Sequence, residues 1–557
     1  MKLYDQLLEV LEAHGVRSVY GVPGDAINPF IEAMREHDAV DYVHVAHEES
    51  GAFAASAAAK LTGRLQVCAG TVGPGAIHLL NGLYDAKKDR APVLAILGQV
   101  PTEFLGTDYH QEVNLPALFA DVAGYLAEVR NVAQMPHVAI EACNAAVATG
   151  RPSALVIPHD VGSRSVDARP ITVFSPDDAG MVVPPPAALD ALHARVRDAK
   201  HIALFVGEGV RRGADHLLPL AEHLSAPIVH ALRAKDLVPE SSELSAGGLG
   251  LLGSRGGVKA MHECDLLLVL GTDFPYRDWY NHECDVVQVD TRAEVLGRRR
   301  PGALAVHADA AIVMRWLLEH AEARDDRRWL ASVQKTRKAW DAELERQEAI
   351  DRSADRIHPQ AVAKVLGELA SDDAIFTCDT GEVTVWGARH LHLRPGQRFT
   401  CSFNLASMAY AMPAAIGAQL AFPDRQVISL SGDGGFNMLM GDLLTAVKYQ
   451  LPIRVVVFDN HKLGLIKMEQ EVEGYPETET DLKNPNYAAL AKAMGAEGFH
   501  VREPGQLREV LGEALAADGP ALVDVEIDPD ELTMPPKVDV SQAFGFGLAK
   551  FRELVNI

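Results

Sequence analysis

The sequence predicts an α/β fold of three doubly wound parallel-sheet domains, and three observations carry that prediction. At 557 residues the chain is longer than one hydrophobic core normally organises. Short apolar runs alternate with helical patterns, which implies parallel strands between layers of helix. Two polar stretches divide the chain: a proline-rich passage at 162–186, read as a linker, and a highly charged one at 324–356, read as a long surface helix and linker. The expected domains are residues 1–162, 187–323 and 357–535, with a C-terminal tail at 536–557. The chain enters an amphipathic helix at once, and strands are expected at 18–22, 65–69 and 92–97. The second domain reads strands at 201–206, 266–270 and 286–290, and the third at 374–378, 426–430 and 453–458. The first and third segments look like one architecture used twice.

Composition narrows the function. Hydrophobic residues make up 48% and charged residues 23%, an ordinary globular balance. A formal charge of -24 argues against nucleic acid, whose recognition depends on clustered Lys and Arg, and leaves small molecules as the expected ligands. The six cysteines are scattered without a Cys-x-x-Cys pair, which fits reduced, packed thiols and a cytoplasmic setting. No basic region followed by an apolar core opens the chain, and secretion is not indicated. The longest apolar run, 408–422, falls short of the ~20 residues that span a bilayer and contains Pro413, so no transmembrane segment is expected.

The most informative motif is Ser431-Gly432-Asp433-Gly434-Gly435-Phe436-Asn437, which follows one apolar run and opens a helical stretch. A second strand then delivers Asp459-Asn460. Glycines let backbone approach a phosphate, a helix N-terminus points amides at it, and Asp433 with Asn460 offers oxygen to a hard divalent cation. A lone Gly-Asp-Gly is usually a turn, but two successive strands ending in metal-suitable side chains read as a metal-diphosphate site.

This pattern resembles the signature of thiamin diphosphate (ThDP) enzymes, with Asp459-Asn460 where Asn-Asn is usual. The resemblance covers nearly the whole chain, is similar in particular to the bacterial pyruvate oxidases and quinone-reducing pyruvate dehydrogenase, and implies ThDP, Mg2+ and FAD as cofactors. The outer domains would bind the pyrimidine and the diphosphate, the central one FAD, and Lys462 would join Asp433 and Asn460 at the metal. Glu48, after His47 and before an alanine-rich helix, matches the glutamate that hydrogen-bonds the aminopyrimidine N1′. Burial would favour its neutral form and suit proton sharing. Glu49 reads as a helix-surface charge. Ser407-Met408 matches the apolar support under the cofactor, which holds its two rings in the bent form; by residue type alone, Met408 reads as core filler.

The turns holding Pro23, Gly24 and Gly73 are open to either reading one at a time, but together match loops that contact ThDP across a subunit boundary. A functional dimer follows, and tetramers are usual in the family. Gly464, Leu465 and Ile466 fall on the cofactor side of the substrate pocket, with His110, Gln111 and Glu469 as catalytic candidates. For FAD, the segment 205–213 is weak as a dinucleotide fingerprint. The stronger matches are Gly248, Leu249, Gly250 and Leu251; Gly271, Thr272, Asp273, Phe274 and Pro275; Asp290; and Arg233.

Two departures concern the pocket: His110 stands where relatives have Phe, and Leu465 where they have an aromatic residue. A third concerns the tail, where the lipid-binding helix of quinone-reducing relatives is not matched; Leu548, Phe551 and Val555 could share a face that docks on the protein, and membrane association is not expected. The implied reaction is oxidative decarboxylation of pyruvate or a close 2-keto acid, an enamine passing electrons to FAD and then to oxygen, quinone or another acceptor. The alternatives are an acetohydroxyacid synthase-like carboligase with structural FAD and a non-catalytic dinucleotide-binding scaffold.

Overall fold

A computed structural model describes residues 1–174, 180–531, 535–536, 548–550 and 552. Among these residues the chain forms three six-stranded sheets in which every strand pair is parallel.

The N-terminal sheet holds β1 (Ser18–Gly21), β2 (Asp41–His44), β3 (Gln66–Gly70), β4 (Val93–Gln99), β5 (Tyr125–Glu128) and β6 (Ser153–Pro158), ordered β2-β1-β3-β4-β6-β5. The central sheet holds β7 (Ile202–Val206), β8 (Ile228–His230), β9 (Ser245–Gly248), β10 (Leu266–Leu270), β11 (Asp285–Asp290) and β12 (Leu304–His307), ordered β12-β11-β10-β7-β8-β9. The C-terminal sheet holds β13 (Ile375–Cys378), β14 (Arg398–Cys401), β15 (Val427–Gly432), β16 (Arg454–Asp459), β17 (Glu497–Val501) and β18 (Ala521–Glu526), ordered β14-β13-β15-β16-β18-β17.

The outer sheets therefore repeat one topology. Where the winding direction reverses, between β1 and β3 and between β13 and β15, a crevice opens at the carboxyl ends, the place where such sheets bind ligands. Both glycine-rich turns of the first domain and the Gly-Asp-Gly turn of the third lie at these edges.

Strands such as β4, β7 and β10 are buried along their whole length, which explains their continuous apolar runs. The charged stretch is the helix Arg328–Gln347, whose Trp329, Leu330, Val333, Trp340 and Leu344 are buried. The six cysteines are buried and free. No helix of the described residues is long and apolar enough to cross a membrane. Of the proposed tail face, Phe551 and Val555 lie outside the described residues.

The alanine-rich helix Glu48–Thr62 is buried on nearly every side, packed between its own sheet and the helix Ala411–Ala421 of the third domain. A Cβ on Gly417 would stand 2.1 Å from the carbonyl oxygen of Ala54, so only glycine permits this approach.

The central and C-terminal domains are clasped by His392, whose Nδ1 lies 2.8 Å from Glu240 Oε2 and Nε2 3.1 Å from Glu348 Oε1. Burial pulls His392 down, but hydrogen bonds and charge from both carboxylates outweigh it and bring it up to about 9. A histidine with a raised folded pKa stabilises fully below its unfolded value near 6.5, and that contribution is lost as pH rises through about 9. The midpoint of thermal unfolding should therefore fall between pH 7 and pH 9.5, and His392→Gln should lower it at pH 7 and flatten that fall; an unchanged slope in the variant would refute the clasp.

Candidate cofactor and catalytic site

The C-terminal half of the site is built where β15 and β16 end. Gly432 closes β15 and Asp433 is the first residue of the helix Asp433–Leu439, buried with its Oδ1 accepting from the amide of Gly434 at 2.8 Å. Asp459 closes β16, and the Nδ2 of Asn484 donates to both Asp433 Oδ2 (2.8 Å) and Asp459 Oδ1 (2.7 Å). Burial, with the Asp459 carboxylate next in weight, pushes Asp433 up to about 8. Two carboxylates crowded in a buried pocket repel, and a divalent cation is the group that would relieve them.

Asn460 is aimed by its neighbours. Its Nδ2 donates to Glu382 Oε2 at 3.1 Å while its Oδ1 accepts from the amide of Lys462 at 3.0 Å. Lys462 cannot serve a metal through its side chain: the ammonium is taken by Glu477 (2.6 Å) and Asp481 (2.8 Å), and a cation cannot ligate a cation. The main-chain carbonyl is what that residue can offer.

The glycines leave a cradle. A Cβ on Gly434 would meet Leu463 Cδ2 at 2.8 Å and Met408 Cε at 3.2 Å, and one on Gly464 would fall 2.0 Å from Glu382 Oε2. One on Gly432 would meet only Val383, at 3.7 Å, leaving that face open. On Gly435 it would fall 2.3 Å from Asp379 Oδ2, a buried oxygen without a hydrogen-bond partner among the described residues. Acidic oxygens beside bare backbone fit a metal-bound diphosphate. Leu465, Ile466 and Glu469 lie on the adjoining helix Gly464–Glu473, with Ile466 and Glu469 exposed.

The N-terminal half gathers at the ends of β1 and β3. Glu48 is the first residue of its helix, after His47, whose ring accepts from the amide of Glu49. It is buried, and its Oε2 lies 2.9 Å from His78 Nδ1, in a hydrogen bond. The rings of His78 and His47 stack at 4.4 Å. Gly75 lets the carboxyl in, since a Cβ there would stand 3.0 Å from Glu48 Oε1. Gly24, after Pro23, packs so tightly on Thr71 that its Cβ would lie 2.4 Å from Thr71 Cβ. Gly73, at φ +66°, faces the main chain of Gln111, itself at φ +63°. His110 and Gln111 are exposed on a loop tied by Glu112, which accepts from the amides of Gly106 (2.5 Å) and Tyr109 (3.2 Å).

The central domain brings its candidates to one sheet edge. Gly248 ends β9, residues 271–275 follow β10, and Asp290 ends β11. Gly250 (φ +90°) supports the ring of Phe274, and Leu249, Thr272 and Phe274 are buried whereas Leu251 is exposed. Asp290 pairs with Arg292 at 2.9 Å and Asp273 with Arg299 at 2.9 Å. Arg233 stands apart: it donates to the main-chain oxygen of Asp89 and lies 5.8 Å from the ring of Phe403, at the junction of the three domains.

Sequence reasoning missed His78, Glu382 and Asn484. Signals existed for two of them. His78 closes the helix Pro74–His78 that the Gly-Pro-Gly turn opens, and Glu382 follows a third strand end, at β13. Glu49 is more than a surface charge, since Asn81 Nδ2 joins its Oε1 (2.6 Å) to Ser407 Oγ (3.0 Å).

The same three-part organisation appears in comparison with known proteins. The family models described as thiamine pyrophosphate enzyme match here as an N-terminal TPP binding domain over residues 1–118, a central domain over 189–317 and a C-terminal TPP binding domain over 379–525. A Bacillus subtilis (strain 168) protein named as thiamine pyrophosphate-containing, YdaP, is 40% identical over 97% of this chain and 94% of its own. The pyruvate oxidase of Lactiplantibacillus plantarum is 33% identical over 96% of this chain and 90% of its own. The acetolactate synthase isozyme 2 large subunit of Escherichia coli (strain K12) is 32% identical over 95% and 96%. With both half-sites built and all three domains matched, the chain belongs to the thiamine pyrophosphate enzyme family.

Proposed function

We propose that the chain oxidatively decarboxylates pyruvate or a close 2-keto acid, with ThDP and Mg2+ held between the outer domains of two copies and FAD on the central domain. The observation that carries this reading is the pair of complementary half-sites: a buried carboxyl, Glu48, held by His78, and an acidic, glycine-lined cradle at Asp433 and Asn460. Exposed apolar side chains beside each half, Ile77 and Tyr109 on one and Met438 and Ile466 on the other, support a shared site between copies. We place the enzyme in the cytoplasm as a homo-oligomer, with the dimer as functional unit and a tetramer as its assembly.

When bound, ThDP supplies the carbon nucleophile and electron sink that decarboxylate a 2-keto acid, and FAD the two-electron acceptor. Asp433, Asn460 and the carbonyl of Lys462 would hold Mg2+, with Glu382 orienting the Asn460 amide. Glu48 would hold the proton exchanged with the pyrimidine, its carboxyl fixed by His78. Met408 would support the cofactor from below, beside Gly434. Gln111, His110 and Glu469 would bind the substrate carboxylate and move later protons. Asp290 with Arg292, and the backbone around Gly250 and Gly271, would receive FAD. Pyruvate and water would give acetate, carbon dioxide, two protons and two electrons, the electrons leaving through FAD to oxygen, quinone or another acceptor; phosphate in place of water would give acetyl phosphate.

The likeness to acetolactate synthases over the whole chain favours one second reading, a carboligase whose FAD stays oxidised. Anaerobic addition of pyruvate to the FAD-loaded protein decides: bleaching of the flavin spectrum is expected, whereas an oxidised spectrum with acetolactate formation would establish the carboligase. Glu48→Gln, which keeps shape but cannot exchange the proton, should reduce turnover by about 10²-fold or more while the protein still takes up ThDP. Steady-state rates within a factor of three of the parent would remove Glu48 from the chemistry.

A further inference from the structure

Lys60 and Asp89 belong to the N-terminal domain, yet their side chains reach the end of β14 and the loop that follows it in the C-terminal domain. Lys60 has a side chain only 2% exposed, with Nζ 2.7 Å from Asp85 Oδ2 and 2.6 Å from Asp89 Oδ2. The same ammonium donates to the carbonyl of Cys401 at 3.0 Å. Asp89 is fully buried and accepts from the amide of Phe403 (2.9 Å), the amide of Asn404 (3.0 Å) and Asn404 Nδ2 (2.8 Å).

These contacts fix the start of the loop that leads to Met408. Further along, Ser402 Oγ accepts from the amide of Ser407 at 3.0 Å, and Asn81 donates to Ser407 Oγ at 3.0 Å. Beyond Met408, Asp379 Oδ1 accepts from the amide of Ala411 at 2.7 Å. Between the anchors, Ala406 and Ala409 sit at φ +59° and +65°, a left-handed conformation that costs an alanine energy and persists only where surroundings enforce it. A loop released at its start would relax out of that conformation and carry Met408 away from Gly434.

A buried ion pair is weak evidence for stability, because an apolar replacement often serves a core equally well. What an apolar replacement could not supply here is direction: one ammonium aimed at the carbonyl that ends β14 and one carboxylate aimed at three polar groups of the loop after it.

We propose that Asp89, held by Lys60, is a positioning residue of the diphosphate half-site, setting the loop 402–409 so that Met408 stands beside Gly434 under the cofactor. The inference rests on the reading of Met408 given above, and a double-mutant cycle separates the two. The variants are Asp89→Asn, Met408→Ala and their combination in the full chain, read by hydrogen exchange at C2 of bound ThDP, by kcat and KM, and by amide exchange of the cofactor-free protein. Met408→Ala and Asp89→Asn should each slow C2 exchange and lower kcat about tenfold or more with KM little changed. The combination should be no slower than Met408→Ala alone. Without cofactor, Asp89→Asn should also lose amide protection across 403–409.

Losses that multiply in the double variant, or unchanged protection at 403–409, would overturn the inference. If Met408→Ala leaves C2 exchange untouched, the cofactor-support reading fails instead, while amide protection still decides whether Asp89 holds the loop. Should Asp89→Asn fail to fold, Asn404→Ala removes a single bond to Asp89 and replaces it in the same cycle, with the same outcomes deciding.

Discussion

Two helices of small residues, Glu48–Thr62 and Ala411–Ala421, meet so closely that the rest of the molecule is arranged around their contact. Gly417 lies on the backbone of Ala54 on one side, and on another a Cβ at Gly82 would stand 2.5 Å from Ala52 Cβ. A helix buried on all faces needs apolar residues all round, which is why this segment shows almost no amphipathic pattern. The same enclosure takes Lys60 out of water. Its ammonium stays charged despite burial because Asp85 and Asp89 raise its affinity for the proton, and the ring of Tyr410 lies 4.4 Å away. Removing one partner of such a buried group costs about 3–5 kcal/mol, so the ion cluster is part of what holds this contact. One helix thus begins at Glu48 in one half-site and ends beside the loop of the other.

The C-terminal pocket obeys a different constraint, the crowding of acids away from solvent. Burial raises Asp379 to about 7, Glu382 to about 7 and Asp433 to about 8. Their folded values lie above the unfolded carboxylate range, so the fold holds extra protons between pH 4 and pH 8 and loses stability as pH rises across that window. A pocket built this way is unfavourable on its own at neutral pH. Positive charge placed among these carboxyls would offset that cost.

The architecture was legible because parallel buried strands write continuous apolar runs. β10 occupies the expected residues, and β1, β7 and β11 fall within a residue of theirs. The repeated topology of the outer domains was legible in outline for the same reason. Asp433 and Asn460 were visible because strand ends and glycines announce them. His78 and Glu382 were passed over despite their signals, since a polar residue at a helix end looks like any solvated one until a distant chain segment meets it. Lys462 shows the limit of a motif: its position implied a ligand without saying which atom, and with the side chain serving two carboxylates the carbonyl is what it has to offer. Glu49 read as solvated because nothing near it in sequence announces Asn81 or Ser407.

Asp459 is the departure with the clearest physical consequence. A carboxylate where the family pattern has an amide adds negative charge next to Asp433, and without compensation the two would push apart. The compensation is a chain of donors. Tyr487 Oη donates to Asn437 Oδ1 at 2.8 Å, Asn437 Nδ2 to Asn484 Oδ1 at 2.9 Å, and Asn484 Nδ2 to both carboxylates. Each amide is oriented by the one before it, so both hydrogens of Asn484 Nδ2 are turned toward the acids. Tyr487 is fully buried, with its ring edge-on to Phe436 at 5.5 Å, and gives this relay a rigid origin. Asp433 itself opens the helix that carries Phe436 and Asn437, while Asn484 and Tyr487 come from a later segment, so two parts of the chain meet to supply the donors. The added charge is therefore met by donors from the segment that carries Asn484 and Tyr487, while Asn460 Oδ1 stays held by the amide of Lys462.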